Sequence, residues 1–148
     1  MDKLIPFLVG LVSLCVGYLL RGLTENRSRK PSLVRDRLDT IHQAIAHLAR
    51  MRAEIGAVHA QGLAAAPDEQ VLQSTKRIGE LNVAGTGIVQ DGESAADALG
   101  ASDLVEAFKQ AVTLLAGAIA TPKTSTASLA SKLAEIRKMY EALRDQLA

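Results

Sequence analysis

The sequence predicts an all-α protein, a single N-terminal transmembrane helix followed by a small antiparallel bundle of about four helices. Coiled-coil pairing between chains is the alternative arrangement. Three observations predict this class. No charged residue occurs at positions 4–20, and apolar residues after Val34 recur at alternating spacings of four and three. The composition, with 24 alanines, only two Phe, two Tyr and no Trp, suits helices packed closely on one another.

The first element is the uncharged run. As a helix its 17 residues span roughly 25 Å, against roughly 30 Å of bilayer hydrocarbon. Snorkelling by Lys3 and Arg21, and extension through Gly22 and Leu23, close the difference. Pro6 lies in the first turn, where no backbone donor is needed. A signal-peptide core is about 7–15 residues long and ends in a small-x-small cleavage pattern, which does not appear before Arg21. Leu14 fills the position before Cys15, where lipoprotein processing wants a small residue. Residues 1–23 are therefore expected to be an uncleaved anchor.

Its flanks give an orientation. Lys3 stands on one side, whereas Arg21, Arg27, Arg29, Lys30, Arg35 and Arg37 follow on the other. Basic residues stay in the cytoplasm, so the expectation is a cell (inner) membrane protein with its N-terminus outside and its C-terminal domain cytoplasmic. Gly10, Ser13 and Gly17 share one side of the anchor, and the Ser13 to Gly17 spacing suits close helix contact and a homo-oligomer. The general abundance of glycine in membrane helices explains them equally well.

Residues 24–32 are polar and basic and end in Pro31-Ser32, which reads as a juxtamembrane tether and helix entry. The collar also suits anionic lipid headgroups, at about 1 kcal/mol per basic residue. The remainder, 33–148, is long enough for one modest core. It carries 12 Lys/Arg against 14 acids within an overall charge of +1. That balance, with so few aromatics, argues against nucleic-acid binding. The single Cys lies in the apolar run, which leaves no intrachain disulfide and no cysteine cluster for metal.

Within the bundle, Val34, Leu38, Ile41, Ile45 and Leu48 form a seam, interrupted at Arg52 and resumed at Ile55, on a helix expected to end near Gly62. Pro67, Asp68 and Glu69 open a second helix that reaches at least Leu81. Ile78, Gly85, Gly92 and Leu99 then recur every seven residues, which places small residues at a close helix contact if the helix continues. Glycines 85, 87 and 92 leave a break between 82 and 99 equally open. Ser102 is the expected N-cap of a third helix closed by Pro122. Its apolar residues, Phe108 and Leu115 among them, occupy most of its circumference and suit a central position. The Thr- and Ser-rich stretch 121–128 reads as a turn and cap. Beyond it Leu129, Leu133, Ile136, Tyr140, Leu143 and Leu147 make the cleanest stripe, a candidate seam for a partner helix.

A search for chemistry assigns no catalytic, cofactor-binding or metal-ligating residue. His42, His47 and His59 lack the three- or four-residue spacing of helical metal ligands and are expected at solvated or boundary positions. His47, Arg50 and Glu54 share a helix face that solvation explains. Gly85-Thr86-Gly87 opens like a dinucleotide fingerprint, but Gln90 stands at its third glycine and no strand precedes it, so close packing or helix flexibility accounts for it better. The five acids from Asp91 to Glu106 lack the dense oxygen ligands of a calcium loop.

The sequence thus points to a noncatalytic, single-pass scaffold, adaptor or regulator, not an enzyme. Its expected partners are the lipid bilayer and a protein whose identity the residues leave open, and it needs no cofactor. A second class reverses the topology, giving an envelope-facing sensor bundle or a phage spanin-like lysis protein. The basic collar and the many glycines count against that class.

Overall fold

The computed structural model describes residues 4–65, 67–120 and 122–148; side chains are described from Pro31 onward, except at 63, 66 and 121–125. The described chain is helical: α1 (Leu4–Leu63), α2 (Asp68–Ala98), α3 (Ser102–Ala120) and α4 (Pro122–Leu147), with no strand among the described residues. Backbone contacts divide it into two units, Met1–Asp36 and Arg37–Ala148.

In the first unit the backbone is helical from Leu4 and stays so through 24–32. The expected helix entry at Pro31-Ser32 is therefore absent, and Pro31 lies inside α1. A proline there forfeits one i→i−4 hydrogen bond but does not by itself end a helix. The side chains of residues 1–30, which hold the expected anchor and most of its expected basic collar, lie outside the described residues. Among the described residues no helix is long and apolar enough to cross a membrane.

The second unit is a four-helix bundle. Arg37 reaches Ala98, His47 meets Gly85, and Glu54 pairs with Arg77, so α1 and α2 run antiparallel with residue numbers rising on one as they fall on the other. The core is one cluster drawn from all four helices. Ile41, Leu48, Met51 and Ile55 come from α1, Ile78 and Val89 from α2, Leu104 and Phe108 from α3, and Leu129 and Ile136 from α4. Phe108 is fully buried, a contribution of about 2–3 kcal/mol in apolar surface removed from water. Buried Ala44, Ala95, Ala96, Ala107, Ala111 and Ala118 let the backbones approach closely. No polar or charged side chain is buried among the described residues, as suits a core of Ala, Leu, Ile and Val with Met51 and Phe108.

The helix ends show where local chemistry wins. α2 is continuous from Asp68 to Ala98, so the break left open between 82 and 99 does not occur. Gly85 and Gly92 are buried, and the close contact they permit offsets the roughly 1 kcal/mol each costs a helix relative to Ala. α2 ends in a Schellman turn: Gly100 takes φ +73°, its N–H donates to the Asp97 carbonyl, and the Ala101 N–H donates to the Ala96 carbonyl. Arg37 Nη1 donates to the neighbouring Ala98 carbonyl at 3.1 Å, bringing a cation to the negative end of the helix. The carbonyl of Ala101 accepts the first α3 bonds, so Ala101 occupies the N-cap position and Ser102 is the first helical residue. Pro122 opens α4 and the stretch 122–128 is helical, which corrects the turn expected there. A proline in the first turn carries a preset φ and gives up a donor that has no partner.

Candidate functional site

His47 is the histidine brought into the cleft between α2 and α3, and glycine is the reason. Gly85 on α2 faces it, and a Cβ built on Gly85 would fall within the imidazole ring. The side chain of α1 is thereby admitted to the space between α2 and α3. One heptad on, a Cβ on Gly92 would collide with that of Ala44, so the two helices touch along the line of small residues. The sevenfold recurrence of Ile78, Gly85, Gly92 and Leu99 is thus a packing line, with the first three buried and Leu99 packed against the core.

Between α2 and α3 lies a cleft of about 260 Å³. Val89, Val112 and Leu115 make its apolar wall, His47 and Gly85 lie beside one another in it, and Asn82, Thr86 and Gln90 bring polar groups from α2. Glu93 and Lys109 complete the lining and pair across it at 3.8 Å. Lys109 is more than half exposed, so this pair adds little stability. Burial lowers the His47 pKa from its usual 6.5, and the positive charge of Arg50 lowers it further. Both effects favour the neutral ring, which offers one donor and one acceptor nitrogen.

The remaining histidines are elsewhere. His42 is exposed, its ring 5.8 Å from that of Tyr140 in a groove between α1 and α4, and His59 is half-buried. That groove carries Arg137 and Arg144 but also Asp39 and Glu141, so its charges balance. No group of three His, Cys, Asp or Glu able to hold a metal occurs among the described residues.

The sequence-derived candidates fall in two places. Lys3, Arg21, Arg27, Arg29 and Lys30, and the small-residue face Gly10, Ser13 and Gly17, have side chains outside the described residues. Of the stripe on α4, Leu129, Leu133 and Ile136 are buried in the chain's own core, Tyr140 and Leu143 pack against it, and Leu147 remains 42% exposed. The stripe is therefore filled from within the chain as far as Leu143, as is the α1 seam from Ile41 to Ile55. Sequence reasoning missed the α2–α3 cleft; its one legible signal was the glycine heptad facing a helix that carries a histidine.

No family model, curated protein or solved structure matches this chain. What the chain can do is read from its own residues.

Proposed function

We propose that this chain is a noncatalytic, single-pass membrane protein whose helical bundle docks a partner protein at the cytoplasmic face. The observation that carries the reading is the uncharged run at 4–20 followed by six basic residues within the next 17 positions. The bundle adds a surface suited to docking. Leu72 and Val83 on α2 are 70% and 79% exposed. Their eleven-residue spacing puts them within about 20° of one another around the helix. Val112 and Ile119, seven apart on α3, are also exposed, at 42% and 39%. These exposed apolar side chains are the points at which such a partner would make contact.

The test is fractionation combined with a topology fusion. The full chain is expected to stay in the membrane pellet through alkaline carbonate washing, and a reporter after Ala148 is expected to be active only in the cytoplasm. Release by carbonate would remove the anchor. A reporter active only outside would reverse the orientation and favour the envelope-facing class. Crosslinking from position 83 should then capture a partner that Val83→Asp and Leu72→Asp lose together.

A further inference from the structure

The α2–α3 cleft holds groups that packing does not use. Neither His47 nitrogen has a hydrogen-bond partner among the described residues, although the ring is half-buried. Asn82 and Gln90 bring amides to the same space, and Val112 leaves apolar surface open at 42% exposure. We propose that this cleft binds a small amphiphilic carboxylate, its apolar body lying on Val89, Val112 and Leu115 and its head held by Lys109 Nζ.

The volume sets the size of the body. A dry cavity of about 150 Å³ takes benzene, so 260 Å³ corresponds by proportion to about ten carbon atoms. Apolar walls with a few convergent polar groups are the usual make-up of small-molecule sites. Charge selects the head. Glu93 is the lining's one carboxylate and Lys109 its one ammonium, paired at the long distance of 3.8 Å, while Arg50 adds positive potential at the imidazole. An incoming carboxylate exchanges a loose, solvent-screened pair for a shorter charge-assisted bond to Lys109. The N–H of the neutral imidazole can donate to the second oxygen of the ligand. The proposal is independent of membrane attachment, and so is its test.

The test follows the imidazole signals of the three histidines by NMR in the full chain, with 4-phenylbutyrate as the probe and 4-phenylbutanamide as its uncharged counterpart. The expected result is a saturable shift of the His47 signals by the carboxylate, with His42 and His59 unmoved. Lys109→Gln should weaken that binding about tenfold and erase the preference for carboxylate over amide. Val112→Trp fills the cleft from its half-exposed side and should abolish the shift. Thr86→Trp, at an exposed position on the opposite wall, should do the same and serves if the first variant does not fold. The proposal is overturned by the absence of a saturable His47 shift, by a shift that survives a correctly folded tryptophan variant, or by equal binding of acid and amide to the unmodified chain.

Discussion

The imidazole of His47 on α1 occupies the space that a side chain at Gly85 on α2 would need. The obstruction is the far end of a side chain that can rotate, so Gly85→Ala should be tolerated. Alanine gains about 1 kcal/mol of helix propensity, while expelling the ring forfeits a similar amount of buried surface. The expected net change in unfolding free energy is within about 1 kcal/mol of zero. The clearer signature is chemical: once expelled, the imidazole is rehydrated and its pKa should rise toward 6.5. An NMR titration that finds the same pKa in both proteins would show that Gly85 does not hold the ring in place.

Gly92 makes the opposite case. Its missing Cβ would meet the Cβ of Ala44, and neither atom can rotate away. Gly92→Ala must separate α1 from α2, an overpacking cost of about 1–3 kcal/mol that the propensity gain only partly offsets. Gly79 and Gly87 have nothing within 4 Å of the corresponding position. Alanine at either of them should stabilise by about 0.5–1 kcal/mol. Denaturant midpoints should therefore move down for residue 92 and up for residues 79 and 87; movement in the same direction would refute the close contact.

The same pair of glycines shows how far the sequence could be read. The recurrence of Ile78, Gly85, Gly92 and Leu99 already marks a small-residue contact, because a heptad returns to nearly the same side of a helix. Whether α2 continues through it depends on a neighbour, since the cost of each glycine is met only by the approach of Ala44 and His47 on another helix. Pro122 was legible as a boundary but not as the start of α4, because proline both stops one helix and opens the next. Ala44 and Met51 are buried on α1 outside the four-three seam, which tracks a line narrower than the face that α2 and α4 cover together. Beyond that line of glycines the cleft was not legible. It depends on His47, Val89 and Val112 meeting from three helices, and no local pattern encodes that distance.

Acid should weaken the bundle through His47. Its folded pKa lies below the usual 6.5 because burial and Arg50 disfavour the imidazolium. The unfolded chain therefore binds a proton more readily than the folded one below neutrality. The stabilisation is fully present above about pH 6.5 and is lost as pH falls from there through the folded pKa; below that value this residue adds no further slope. The charges around the ring are Arg50 on α1, Glu93 on α2 and Lys109 on α3, and Glu93 is the one that would favour the protonated form. His47→Gln should flatten the stability profile between neutrality and the folded pKa without touching the carboxylate transition at lower pH. Chemical denaturation at stepped pH measures this, and an unchanged profile in the variant would assign the acid sensitivity to other groups.

Gly100 fixes the turn that brings α3 back along α2. At φ +73° it stands where a Cβ is costly, and nothing lies within 4 Å to clash with one, so Gly100→Ala isolates the backbone term from packing. The expected loss is about 1–2 kcal/mol, since the Schellman bonds from Gly100 to Asp97 and from Ala101 to Ala96 require the left-handed conformation. Asn tolerates that region better than Ala, so Gly100→Asn should recover part of the loss. Arg37 offers an independent readout. Its bond to the Ala98 carbonyl depends on α2 ending where it does, and Arg37→Ala should cost about 0.5–1 kcal/mol in the parent. If the turn is lost in the Gly100→Ala protein, the arginine has no ordered carbonyl to cap, and the two substitutions together should cost less than their sum. Strict additivity in that cycle would show that the cap and the turn act separately.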